Sequence, residues 1–173
     1  MLGEPAASAD AGRLHVRLHT VPSLAVEVVP FEEHMAEALV EMWRQSFEHG
    51  VGIRDWHPLD EQRNFLLSQV VPNFTVRVAV ARKSILGFVA YNAEALSQLY
   101  VRLGHYRQGI GASLLDLAKS QSSGSLWLYT FAQNHVARSF YEKHDFVAGA
   151  QGFEPMWQLA DVRYEWRAKS YAT

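Results

Sequence analysis

The chain has 173 residues, 49% of them hydrophobic, a formal charge of −2 at pH 7 and no cysteine. That size supports a single domain with a sizeable core, and the near-neutral charge removes any general electrostatic drive towards nucleic acid or a membrane surface. The missing thiols exclude a disulfide framework, a thiol nucleophile and a thiolate zinc site, and they fit a cytoplasmic protein. No apolar run approaches the ~18 residues that cross a bilayer. Residues 1–23, rich in Ala, Gly, Pro and Ser, read as a loosely ordered leader ahead of one domain over 24–173. His15 and His19 stand four apart in that leader, in a stretch that also alternates as a strand does, and read as an edge segment rather than a metal site.

"LAVEVV" (24–29) is β-branched and strand-like. The next stretch (31–47) places Met35, Leu39, Met42 and Trp43 at helical spacing, and "EHGVGIRDWHP" (48–58) breaks it with two glycines and a proline. A second helix is expected over 59–71, with Asp60 as its cap. Three strands follow in close succession at 74–82, 85–91 and 93–101, separated by short polar turns. A helix to about residue 121, the strand "LWLYTF" and a helix over "NHVARSFYEKH" come next. "FVAGA" and "DVRYEW" read as two last strands around a long irregular loop. The order β α α β β β α β α β β implies a mixed, mostly antiparallel α/β sheet covered by helices. Its β–α–β crossover puts the turn after the fourth strand where open α/β sheets hold ligands.

That turn contains Gly109 and Gly111 at the mouth of an otherwise good helix, where glycine costs ~1 kcal/mol relative to alanine. Glycine there admits positive φ and lets a ligand approach the backbone. The first N–H groups of a helix lack internal partners and favour an anion, and Arg107 and Gln108 add donors beside them. A pyrophosphate cradle fits these features; so does a tight connection that needs glycine for geometry alone. The pattern is neither a Walker loop nor a complete GxGxxG, since Leu114 stands at the third glycine position.

"ALSQLYVRLGHYRQGIGASLLDLAK" followed by "LWLYTFAQNHVARSFYEKHDF" resembles the GCN5-related N-acetyltransferase (GNAT) superfamily. The resemblance covers about residues 24–166 and is strongest over 95–146. It implies a GNAT-like sheet with a β-α-β acyl-CoA-binding core, its two central parallel strands splayed where the pantetheine arm of acetyl-CoA lies. By the same resemblance, the backbone of Leu99, Tyr100 and Val101 matches the strand that receives the arm. Arg107, Gln108, Gly109, Ile110, Gly111 and Ala112 match the pyrophosphate turn, and Asn134 matches the asparagine that contacts the coenzyme. Tyr141 matches the tyrosine near the coenzyme sulfur. Two positions depart from the pattern: Tyr106 stands where Gln or Arg is usual, and Asp145 replaces a glycine before Phe146, a place where Asp tolerates the left-handed conformation.

The resemblance implies transfer of an acetyl group from acetyl-CoA, as cosubstrate and without a metal, to a primary amine of a small molecule. Protein or peptide N-acetylation and a non-catalytic acyl-CoA sensor are the alternatives. Such transfer needs a neutral amine, a donor for the oxyanion and a proton for the leaving thiolate. Tyr141, with an ordinary phenol pKa of ~10, suits the last role, and a backbone N–H around 99–101 suits the oxyanion. Glu94 is the only carboxylate on the strand expected over 93–101, where it shares a face with Gln98 and Tyr100, and is the candidate general base. A water chain with no dedicated base is the alternative. The acceptor pocket falls to two loops that carry Phe47, His49, Trp56 and His57, then Phe153, Met156 and Trp157. Of these, Phe47, Trp56, His57 and Trp157 are the candidate substrate-binding residues, and with Glu48, Asp55 and Glu154 nearby they suit a cationic amine. His49 and His57 lack a third metal ligand. Exposed apolar residues in the last strands would support a homodimer.

Overall fold

The computed structural model describes residues 25–169; the leader and its two histidines lie outside them. Two sheets form the scaffold. The first holds β1 (Glu27–Pro30), β2 (Thr75–Ala81), β3 (Ser84–Tyr91) and β4 (Leu96–Val101) in that order, all antiparallel. The second holds β5 (Ser125–Phe131), β7 (Leu159–Arg167) and β6 (Val147–Glu154), with β7 between its neighbours. The sheets meet at β4 and β5. The expected order of elements is the observed one.

Strand β3 shows why helices must cover both faces. Its residues alternate between two cores: Leu86, Val89 and Tyr91 face one, Ile85, Phe88 and Ala90 the other. A strand buried on both sides reads as a continuous apolar run, as "ILGFVAY" does. Helix α1 (Ala36–Val51) covers one face through Leu39, Val40, Trp43 and Phe47. Beside it run α2 (Leu59–Phe65), a π-helical stretch at Leu66–Val70 and α3 (Val71–Asn73). Helices α4 (Ile110–Ser120) and α5 (His135–Lys143) cover the other face, with Leu114, Leu115 and Tyr141 fully or nearly buried. Asp145 takes φ 65°, the left-handed turn expected of it, and returns the chain from α5 to Phe146.

Several boundaries differ from the sequence reading. The expected loop at 48–58 begins later, because α1 runs through Gly50 to Val51 and ends on Gly52 in the left-handed conformation, φ 77°. Helix α2 begins two residues earlier than a cap at Asp60 implies, with Pro58 at its cap position. The irregular loop expected between the last two strands is mostly sheet: β6 continues to Glu154 and β7 starts at Leu159. Strand β6 is an edge strand with almost every residue exposed, so no burial alternation marks it in the sequence.

Candidate active site

Strands β4 and β5 are parallel neighbours joined by one isolated bridge, Ala95 to Trp127, where the Trp127 N–H donates to Glu94 O at 3.0 Å. Beyond that bridge they part into separate sheets. A cleft of about 660 Å³ opens in the gap. Residues 96–100 of β4 and 129–131 of β5 form its sides, and Asn134, Ala137 and Tyr141 of the α5 segment close one end. Side chains of α1, α2 and the β6–β7 hairpin wall the other end.

The open edge of β4 carries free donors. The Arg102 N–H donates to Leu86 O at 2.8 Å, towards β3. Amide directions alternate along a strand, so the N–H groups of Leu99 and Val101 face away from β3. Leu99 and Tyr100 line the cleft; Val101 lies just past it, its carbonyl accepting from Ser46 Oγ at 2.9 Å. A bulge helps bend the strand, since Ala90 pairs with Gln98 and Tyr91 with Leu96, leaving Ser97 as the extra residue, also on the cleft wall.

Tyr141 is 6% exposed and packs against Phe146 and Tyr164, at 5.5 and 6.2 Å between ring centres. Burial raises its pKa well above the usual phenol value, and Tyr100 nearby raises it further. Tyr100 is itself pushed up to about 12, chiefly by burial, with the Trp43 side chain acting weakly the other way. Both phenols therefore hold their protons across the physiological range. Asn134 caps α5: its Oδ1 accepts from the Ala137 N–H at 3.1 Å, which leaves Nδ2 without a partner among the described residues.

The glycine turn lies outside the cleft's lining, at the open end of β4. Gly109 (φ 81°) is the cap of α4, and Arg107 also takes positive φ, 60°. Gln108 bonds back to Gly104 O at 3.3 Å, so its side chain braces the loop. Ile110 buries its side chain in the core, and Ala112 is half-buried. Gly111 answers to packing: a β-carbon there would stand 3.3 Å from the Phe140 ring. The N–H groups of Ile110, Gly111 and Ala112 form the first turn of α4, which has no internal partners for them.

At the other end, Phe47 and Trp157 meet at 5.0 Å, Phe47 and Phe131 at 6.0 Å, and His57 and Trp157 at 5.1 Å. Asp55 holds this end together. Its carboxylate pairs with Arg44 at 3.1 Å and accepts from the His57 N–H at 2.9 Å; His57 Nδ1 lies 2.8 Å from it. Arg44 further donates to Gln62 Oε1 at 3.0 Å and to the His57 carbonyl.

The structure brings Phe47, His57 and Trp157 to the cleft, but not Trp56 or Glu94. Trp56 is 76% exposed and stacks on the outer side of His57 at 3.9 Å. Glu94 is exposed in the turn ahead of β4, which starts at Leu96 rather than at residue 93, beside the bridge where the strands are still joined. Trp43, Arg44, Gln62, Phe65 and Asp161 line the cleft without having been foreseen. Arg44 carried a signal: it lies on the α1 stripe of Val40, Phe47 and Val51, where a charge must find a buried partner. Among the described residues, no group of three or more His, Asp or Glu side chains gathers as a metal site, and no helix is long and apolar enough to cross a membrane.

Residues 72–148 match the family model of the acetyltransferase (GNAT) domain. No curated protein matches the chain. Among solved structures the fold is similar to apo YjaB from Escherichia coli, at 18% identity and TM-score 0.70 over 84% of this chain and 100% of that one. It is also similar to yncA from Salmonella typhimurium, determined with acetyl-CoA (15%, 0.63, 86% and 97%). A third is the PaiA N-acetyltransferase from Thermoplasma acidophilum in complex with coenzyme A (20%, 0.63, 81% and 98%). Residues 72–148 thus resemble the acetyltransferase (GNAT) domain, and the chain shares the fold of these acetyltransferase structures.

Proposed function

We propose that the chain is an acetyl-CoA-dependent N-acetyltransferase that moves the acetyl group directly to a primary amine of a small molecule. The observation that carries this reading is one continuous cleft, running from Leu99 and Tyr141 at the parted strands to a pocket walled by Phe47, His57 and Trp157. Two of the similar structures, yncA and PaiA, hold acetyl-CoA and coenzyme A.

In this reading the open edge of β4 receives the pantetheine arm as an added strand, and the free Nδ2 of Asn134 donates to it. The first turn of α4, with Arg107 beside it, receives the pyrophosphate. The Leu99 N–H faces the carbonyl oxygen on which negative charge grows during attack. As the C–N bond forms and the C–S bond breaks, Tyr141 gives its proton to the departing sulfur, and its raised pKa keeps that proton available. Glu94 stands apart from the cleft, so the acceptor's own proton leaves through water. With no cysteine in the chain, no cysteinyl intermediate forms.

A thiol-release assay with acetyl-CoA against small amines, amino acids, aminoglycosides and peptides tests this reading. Release with a small amine supports it. Faster release with peptides overturns the small-molecule acceptor, and coenzyme binding without release to any acceptor marks a sensor instead.

A further inference from the structure

The acceptor end contains a carboxylate that the proposed reaction does not use. Asp161 is the third residue of β7, stands opposite Phe131 across the β5–β7 ladder and lines the cleft. Its Oδ1 is buried and has no hydrogen-bond partner, the one such side-chain atom among the described residues. A buried acceptor left unsatisfied costs ~1–3 kcal/mol, and more when charged, so a fold that retains one does so against its own stability. The space for it is specific. On the adjacent strand stands Gly152, and a β-carbon there would lie 2.5 Å from Asp161 Oδ1. Gly152 does not adopt positive φ, so backbone conformation does not demand glycine at that position; room for the carboxylate does.

The surroundings define what would complete it. Arg44 is already paired with Asp55, so the cleft offers Asp161 no free cation of its own. Glu61 and Glu154 also line this end and make it more negative. Phe131 pairs with Asp161 across the ladder, Phe47 meets both Phe131 and Trp157, and all of them line this cleft, which gives it aromatic surface of the kind that attracts ammonium groups.

We infer that Asp161 is an acceptor-binding residue, and that the acceptor carries a positively charged group besides the amine to be acetylated. This rests on the acetyltransferase reading for its context, but the binding claim is testable without turnover. Asp161 takes a hydrogen bond from the ammonium, the aromatic rings flank its methylenes, and the second nitrogen extends towards Leu99 and Tyr141. Gly152 acts through Asp161 as a positioning residue.

The test measures binding of 1,4-diaminobutane and of n-butylamine by calorimetry, with acetyl-CoA binding measured separately, on the wild type, Asp161→Asn and Gly152→Ala. The wild type is expected to bind the diamine about 10- to 100-fold more tightly than the monoamine, the range of one charge-assisted hydrogen bond. Asp161→Asn should erase that preference while leaving acetyl-CoA affinity unchanged and the melting temperature no lower than that of the wild type, and Gly152→Ala should erode it. Equal binding of the two amines by the wild type overturns the inference, as does a preference that survives Asp161→Asn. A chain that discriminates the amines but does not bind acetyl-CoA overturns the acetyltransferase reading and leaves this one standing.

Discussion

Gly50 of α1 and Asn134 at the cap of α5 touch so closely that a β-carbon at position 50 would stand 3.0 Å from Asn134 Nδ2. Helix α1 has a glycine in its last turn where the side chain of another element occupies the space. Gly50→Ala gains up to ~1 kcal/mol of helix propensity but must displace the Asn134 amide. The expected result is a melting temperature within a few degrees of wild type and acetyl-CoA affinity lower by several-fold. Paired thermal melts and coenzyme titrations check it; unchanged affinity would mean that the amide does not contact the coenzyme.

Asn134 caps α5 and, in the proposed reading, also donates to the coenzyme, and substitution separates the two. Asp at this position keeps an oxygen to cap Ala137 and loses the Nδ2 donor; Ala loses both. Asn134→Ala should destabilise the fold by ~1 kcal/mol, the usual worth of an N-cap, whereas Asn134→Asp should leave stability nearly intact. Both should weaken coenzyme binding. Denaturant unfolding of the two variants, read beside their coenzyme affinities, decides between a cap that happens to line the cleft and a residue that serves it.

The two glycines of the α4 turn should respond for different reasons. Gly109 needs its positive φ and has open space around it, so Gly109→Ala pays backbone strain of ~1–2 kcal/mol with no clash. Gly111 is helical and meets the Phe140 ring, so Gly111→Ala must move α5 or the ring. In a double-mutant cycle, Phe140→Leu should relieve Gly111→Ala and do nothing for Gly109→Ala. Equal rescue of both would remove the distinction.

These two glycines mark the limit of what the sequence made legible. Spacing alone located the helix mouth, because it rests on a local backbone requirement, whereas the parted strands followed from the resemblance carried by two motifs at the right separation. The element order followed from periodicity for the same reason. Glu94 was misplaced because the turn at Asn92, whose side chain accepts from the Glu94 and Ala95 N–H groups, delays the start of β4. Trp56 was misjudged because composition shows an aromatic but not which side of His57 it stacks on. Arg44 and Asp161 escaped notice because their roles depend on strands and helices that meet only in three dimensions.

Arg44 joins α1 to the loop that walls the aromatic end of the cleft. Its side chain is 13% exposed and that of Asp55 7%, so the pair is largely withdrawn from water. Removing one partner of a buried pair leaves an uncompensated charge and typically costs ~3–5 kcal/mol. Arg44→Met should therefore destabilise the fold by roughly 3 kcal/mol and release His57, whose backbone Asp55 and Arg44 both hold. Acetyl-CoA affinity, set at the other end of the cleft, should change little, while KM for the amine rises. Parallel loss of both affinities would show that the two ends are not independent.

Tyr141 offers the most direct reading of the chemistry. Tyr141→Phe keeps the ring packing and removes only the hydroxyl, so if Tyr141 is the acid proposed above, kcat should fall by ~100-fold while acetyl-CoA affinity and stability hold. Activity should not decline on the alkaline side before about pH 10, since burial keeps the Tyr141 proton bound beyond the ordinary phenol range. Stability has the same sign. A phenol whose pKa is raised on folding supports the native state fully below the unfolded value of 10.0, and that support is lost as pH climbs towards the folded value, about 12 for Tyr100. Urea midpoints measured from pH 8 to 11.5 should stay level to about pH 10 and then drop, and Tyr141→Phe and Tyr100→Phe should each soften the drop. An enzyme that keeps its kcat as Tyr141→Phe, with the same alkaline profile, would leave the departing sulfur without its acid and point to a proton delivered by water.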